Sequence, residues 1–439
     1  MGSIIALIFI SLTFAALVVF IIKGGNAMIG LFLAAIIVAV LGGLDIMGIQ
    51  NTVFSAGMAS YGPMIVTIIF GAWFGRIMLV TGIVDQIVKK AVELGGSRKL
   101  LSWILLTVVT HIIFMGGFGI GLVMAVGMIT IPIMVSLGIP KKLASASLCM
   151  AAAAGSYVAV SCHAQFSVVF EGVDYPSYFS VAVIAGIIQL VMVIIFEIIQ
   201  IGNKKALHAW AVGGAALEDN RSAGGTSAGN AGKKNMFFPA YFTPIVPVIL
   251  CAGLGWPAIP AFALAIVWGI VFSGSLFPLN NSKDLFLKSL QESFYDIGLL
   301  FGLLMAIVTF AAAIDIAAPL ISSFLQPIIS VNPVLIAIVA GLLAPLAMFR
   351  GPLCFWGVGA AVGTIFLQMN VFSDIFCMFL IVVPSISMAM SACFTQTQNA
   401  WAAGYAKVEP GDFLKTSFLW QWLTTFVVMV ATGVVIIGG

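Results

Sequence analysis

The chain has 439 residues, of which 62% are hydrophobic and 8% charged, with a mean hydropathy of +1.20. That balance excludes a soluble domain, and a formal net charge of +3 is too small to argue for a nucleic-acid partner. Apolar runs of about 20 residues recur from end to end, the pattern of an all-α polytopic membrane protein, and at about 30 residues per crossing there is room for roughly 10 to 14 crossings.

Ile4–Ile22 and Ala27–Leu41 read as two spans joined by Lys23-Gly24-Gly25-Asn26. The first has no basic lead-in and no small-residue cleavage site, so it reads as a retained helix. Asp45 sits in the next loop, and Tyr61–Val80 is a third span with Gly62-Pro63 near its start. Ile83–Leu94 is amphipathic, with Asp85 and Lys89 spaced as a helix pair. Leu100–Phe114 and Phe118–Leu137 are apolar arms interrupted at Met115-Gly116-Gly117. After Lys141 and Lys142, the Ala- and Ser-rich run Leu143–Val160 leads into Ser161-Cys162-His163-Ala164-Gln165. Glu171 and Asp174 precede the span Tyr178–Ile201, which closes a first unit over residues 1–201.

Residues 202–237 read as a linker, rich in Gly, Ala, Ser and Asn, with Lys204, Lys205, Arg221, Lys233 and Lys234. The positive-inside bias puts it in the cytoplasm. Lys23, Lys89, Lys90, Arg98, Lys99, Lys141 and Lys142 fall on the same side by parity, which leaves the N-terminus outside.

The unit 238–439 repeats the plan. Pro239–Leu254 and Ala258–Phe272 are spans, followed by a loop with Lys283 and Lys288. Ile297–Ala313 is a third span, and Ile314–Leu325 is a second amphipathic stretch whose single charge, Asp315, has no helix partner. Val334–Met348 and Leu353–Met369 are arms interrupted at Arg350-Gly351-Pro352. Ile375–Met390 runs to Thr395-Gln396-Thr397-Gln398-Asn399, and Ser417–Ile437 is the last span. The units begin on opposite sides, so they are expected to be inverted repeats with broken helices, an arrangement recurrent in secondary transporters. The interrupted arms read as re-entrant hairpins whose tips line a cavity near the midplane.

Several stretches resemble gluconate permeases and their relatives, the citrate and C4-dicarboxylate carriers and sodium/proton antiporters of the ion transporter superfamily. They are Gly75-Arg76-Ile77-Met78 through Gly82, Leu94-Gly95-Gly96-Ser97, Phe114-Met115-Gly116-Gly117-Phe118-Gly119, Gly138-Ile139-Pro140 and Ala151–Gln165. The chain departs from them at Ser161–Gln165, where many carry a Pro- and His-rich stretch, and at Gln396–Asn399. The resemblance implies an elevator-type mechanism, a homodimer and a place in the inner membrane.

Arg350 is the only Arg or Lys between Lys288 and Lys407. A guanidinium at bilayer depth is costly and faces a partner, a cavity or a substrate, and a carboxylate suits its fork. It is expected to hold an organic anion with Gly351 of its own tip and Gly116 and Gly117 of the first. Ser161, His163 and Gln165, and Thr395, Gln396, Thr397, Gln398 and Asn399, would supply uncharged donors and oxygens. A coupled Na⁺ would find ligands near Ser161 or Thr397, and His163 could accept a proton. The first tip carries only glycine backbone, so the expected site is asymmetric.

The six cysteines lie in or beside apolar runs without zinc spacing and read as core residues. No H-E-x-x-H and no nucleotide-binding G-x-x-x-x-G-K-[ST] occurs, so no enzyme, no resident cofactor and no ATP coupling is expected. The expectation is a secondary active transporter of a carboxylate, dicarboxylate or sugar acid, coupled to H⁺ or Na⁺. The alternative is a Na⁺/H⁺ antiporter, for which Asp85, Asp315 and Glu197 are the candidate carboxylates.

Overall fold

A computed structural model describes residues 2–96, 98–202, 236–275, 279–325 and 332–438. Ser97 and linker residues 203–235 lie outside them. Among the described residues the regular structure is entirely helical. Five helices among the described residues are long and apolar enough to cross a membrane, or up to seven if each of two bent pairs is one span. The protein is therefore a multi-pass membrane protein. The full-length spans are fewer than the 10 to 14 that chain length allows. Helices such as Ala27–Leu41 and Ala258–Phe272 have 15 residues each. At 1.5 Å per residue they reach about 22 Å, short of the hydrocarbon thickness of about 30 Å.

Local chemistry sets the element ends. Asn26 caps Ala27–Leu41 by accepting from the Met28 amide at 2.9 Å. Gly82, at φ +77, turns Gly57–Val80 into Ile83–Gly95. That short helix buries Ile83, Val84, Ile87, Val88 and Ala91 along one stripe and leaves Lys89 and Lys90 outside. Among its residues the ion pair formed is Lys90–Glu93 at 3.3 Å, not Asp85–Lys89. Burial pushes the Asp85 carboxyl up, and Lys89 opposes that shift.

Two sequence expectations are corrected. The loop with Lys283 and Lys288 and the separate stretch Ile314–Leu325 are both turns of one helix, Leu279–Leu325, of 47 residues. Its length is about 70 Å. Leu285, Leu287, Lys288, Leu290, Gln291 and Glu292 are good helix formers in its polar first part, and Lys283–Ala317 contains no proline to interrupt it. It packs on Ala27–Leu41, Gly57–Val80 and Ala360–Met369. Asp315, which has no partner on its own helix, accepts a hydrogen bond from Gln368 Nε2 at 2.9 Å.

The second correction concerns the polar clusters. Ser161–Gln165 is not the break itself. It lies within the short helix Val160–Phe166, which follows Lys141–Ser156 at a bend of 75°. Likewise Thr397, Gln398 and Asn399 form the first turn of Thr397–Tyr405. At the first bend the unwound residues 157–159 precede the cluster, whereas at the second Thr395 and Gln396 of the cluster are themselves outside any helix. At the first bend the Tyr157 and Val158 carbonyls accept from Tyr178 and Tyr175 hydroxyls, each at 2.6 Å. These bonds satisfy carbonyls left without helical donors.

Candidate functional site

The helix Pro333–Leu342 gives way to a tight 3₁₀ run, Ala344–Arg350, at a bend of 56°. Pro345, with no amide hydrogen, sits where the α-helix stops. The chain then holds Phe349 at φ +54 and Arg350 at φ +60. Two consecutive non-glycine residues in the left-handed region cost on the order of 1–3 kcal/mol each, and such strain concentrates at functional sites. A non-helical kink at Trp356 and Gly357 follows, within Phe355–Gly359. A Cβ on Gly357 would lie 2.1 Å from the Arg350 carbonyl oxygen, so only glycine lets the two sides of the break close.

The Arg350 guanidinium is half-buried and donates from Nη1 to the Trp356 carbonyl at 2.8 Å. Among the described residues no carboxylate lies within 4 Å of it; the ion pairs there belong to Arg76 and Lys90. Trp356 is the junction of this region. Its indole Nε1 donates to Gln165 Oε1 at 2.9 Å, and its ring lies against Phe166 and stacks with Phe118 of the first break. Gln165 in turn donates to the Ser161 carbonyl at 3.2 Å. The C-terminal polar cluster joins from the other side. Phe349 N–H donates to Cys393 Sγ at 3.1 Å, Cys393 Sγ lies 3.0 Å from Thr395 Oγ1, and Gln396 Nε2 donates to Cys354 Sγ at 3.6 Å. Ser385 Oγ accepts from the Phe355 amide at 2.7 Å.

The structure thus brings Arg350, Gln165 and Gln396 around one break. Ser161 stands behind Gln165, with an Oγ that is buried and has no hydrogen-bond partner in the protein. Asn399 Nδ2 donates to the Ala389 and Cys393 carbonyls, while its buried Oδ1 is also unpaired. Gln398 Nε2 donates to the Met390 carbonyl at 2.8 Å. Thr395 and Thr397 are exposed. Other predicted residues point elsewhere. His163 Nε2 faces the Val173 carbonyl at 3.0 Å, so that nitrogen carries the proton, and its ring packs on Tyr175 and Tyr178. Gly116 lies against the Pro244 carbonyl, Gly117 against Leu122 and Met78, and Gly351 against the Leu346 carbonyl. At Gly116 and Gly351 these are close approaches to backbone, and at Gly117 to side chains.

Sequence reading missed Trp356, because an aromatic in an apolar arm reads as core. It also missed a second guanidinium. Arg76 Nη2 donates to Asp296 Oδ1 at 2.6 Å, Arg76 Nε also bonds Asp296, and Nη1 lies 3.5 Å from Glu292. Gly121 abuts the Asp296 carboxylate, so this clasp stands beside the first break. The first tip is therefore not bare glycine backbone. Its cation is neutralised, and that of the second tip is not.

A cavity of about 410 Å³ lies apart from the break, with Glu171, Asp315 and Asp374 in its lining. None of the residues expected to hold the organic anion lines it, but Asp315, a candidate carboxylate of the antiporter alternative, does. Carboxylates repel an organic anion, so this cavity is not where a ligand of Arg350 would sit. Among the described residues no His, Cys, Asp and Glu grouping could hold a metal ion. In comparisons with known proteins, no family model and no curated protein matches the chain.

Proposed function

We propose that the chain is a secondary active transporter of a small organic anion, such as a carboxylate, dicarboxylate or sugar acid, coupled to H⁺ or Na⁺. The observation that carries this reading is Arg350. It is a guanidinium held in strained backbone at a helix break, without a carboxylate partner among the described residues. Around it stand uncharged amides and hydroxyls suited to carboxylate oxygens. The unpaired Ser161 Oγ offers an oxygen to the substrate or to Na⁺. On this reading residues 1–201 and 238–439 are inverted repeats flanking a cytoplasmic linker at 202–237. The likeness to gluconate permeases and citrate and C4-dicarboxylate carriers adds an elevator motion, a homodimer and the inner membrane.

The test is uptake of labelled mono- and dicarboxylates into proteoliposomes. Arg350→Ala, at normal expression, should lower uptake by about tenfold or more, as expected for losing one charge-assisted bidentate contact of about 1.5–3 kcal/mol. Unchanged uptake would remove Arg350 from the site. The acidic cavity favours a second reading, a Na⁺/H⁺ antiporter with Asp315 at its cation entrance. Sodium-dependent collapse of a pH gradient, indifferent to every organic anion, would select it.

A further inference from the structure

We propose that Glu197 is the proton-binding group that couples transport to a pH gradient, an inference that rests on the transporter reading above. Glu197 is completely buried in the helix Tyr175–Gly202. Its Oε1 accepts from the hydroxyls of Thr107, on Lys99–Gly116, and Ser147, on Lys141–Ser156. Trp103 Nε1 donates to the same Ser147 Oγ at 3.0 Å. Two of the three donors, the Thr107 and Ser147 hydroxyls, are aimed at the carboxyl, and Trp103 fixes Ser147. Its other oxygen, Oε2, has no partner in the protein.

An ionised carboxylate this deep needs a cation, and among the described residues no Lys, Arg or His nitrogen lies within 4 Å of it. The other charged or titratable groups on the packed elements are His111 and Lys99 on Lys99–Gly116, and Lys141, Lys142 and Cys149 on Lys141–Ser156. Pro410–Gly438 contributes Asp412 and Lys415, and at the level of Phe196 it presents Trp420. Tyr157, His163, Cys162, Cys251, Asp374 and Cys377 complete that set. None forms an ion pair with Glu197.

Two effects therefore oppose each other at one group. The apolar surroundings favour the neutral acid, while two hydroxyl donors on Oε1 hold the anion. A carboxyl so balanced can exchange its proton, which adds to and leaves from Oε2, the free oxygen. Na⁺ fits poorly, because Thr107 and Ser147 oxygens already bond Oε1 and lie 3.2 Å from each other, closing the space an ion would need.

A polar seam leads from here to the break. Gln189 lies two turns, about 12 Å, along the same helix face. It donates to Gln421 Oε1 at 3.0 Å and Ser391 Oγ at 3.3 Å, and accepts from Ser387 Oγ at 2.8 Å. Ser387 Oγ is 2.6 Å from the hydroxyl of Tyr157, the residue at the first bend. The helix that carries Glu197 is thus tied, through Gln189, to the turn that positions Ser161 and Gln165.

The experiment compares wild type with Glu197→Gln, a change that keeps an oxygen for both hydroxyls, in proteoliposomes loaded with ¹⁴C-labelled gluconate, succinate or citrate. Anion counterflow, which needs no net proton movement, should survive within about twofold, while accumulation driven by a pH gradient should fall at least about tenfold. Counterflow also reports that the variant folds. Glu197→Asp should restore part of the accumulation. Infrared spectroscopy of the empty protein adds a readout independent of any anion: a carboxyl C=O band that changes with pH in wild type and is missing in Glu197→Gln. Full pH-driven accumulation by Glu197→Gln, accumulation that follows Na⁺ and ignores pH, or an unchanged infrared band overturns the assignment. If wild type carries none of the three anions, the transporter reading falls and the coupling role falls with it. The infrared band then still decides whether Glu197 binds a proton.

Discussion

Trp356 makes the case at the scale of the residue. It is nearly buried and touches both breaks, and its indole N–H is accepted by Gln165 Oε1. Trp356→Phe keeps the ring contacts but leaves that buried oxygen unpaired, which costs about 1–3 kcal/mol. Thermal unfolding in detergent should show a clear fall in Tm for Trp356→Phe. The double variant Trp356→Phe with Gln165→Leu should cost less than the two singles summed, because no orphan remains. Strict additivity would mean that the pair is not coupled. Arg350, Ser161 and Gln165 were legible in the sequence because a polar residue in an apolar run stands out. Trp356 was not, since its partner lies 191 residues away and nothing local marks a tryptophan as a donor. His163 was overvalued for the opposite reason: its type invites a proton role, yet carbonyl and tyrosine contacts already occupy it.

The Arg76 clasp belongs to the scale of elements. It ties Gly57–Val80 to Leu279–Leu325, and Gly121 of the second arm rests on its carboxylate. Removing one partner of a buried pair costs about 3–5 kcal/mol, and this pair, 23% and 13% exposed, should lose less. Arg76→Ala should therefore destabilise by about 1–3 kcal/mol, and Arg76→Ala with Asp296→Ala should recover part of it. A double variant no better than the single would show that the clasp has another role. Arg76 stands in a loose sequence motif with nothing local to mark a partner, and the charge pattern predicts a loop around Asp296, so the pair is not legible in the sequence. The error lay in the boundaries: Lys283 and Lys288 suggested a loop, whereas favourable helix residues carry the helix through them.

At the scale of the molecule, composition alone fixed the class, because a chain this apolar has no soluble alternative. The charge pattern makes a sharper prediction about sides. All six native cysteines are buried, so they give little background for thiol labelling. Ser222→Cys should react with a membrane-impermeant maleimide only after cells are opened, and Glu171→Cys should react in intact cells. The reverse pattern would invert the topology and put Arg350's break on the other approach. The order of features along the chain does not carry the charge state of a break: the Arg76 guanidinium is neutralised by Asp296, whereas Arg350 has no carboxylate within 4 Å among the described residues.

The unbroken run Leu279–Leu325 has a mechanical consequence. Asp296 and Asp315 stand on one rod, about 28 Å apart along its axis. Asp296 is gripped by Arg76 of Gly57–Val80 and Asp315 by Gln368 of Ala360–Met369. With no hinge between them, neither grip can travel without the other. Under the proposed elevator motion, moving Ala360–Met369 would have to slide Leu279–Leu325 along with it or release one of the two contacts, and the weaker one, the single hydrogen bond from the Gln368 amide to Asp315, would give way first.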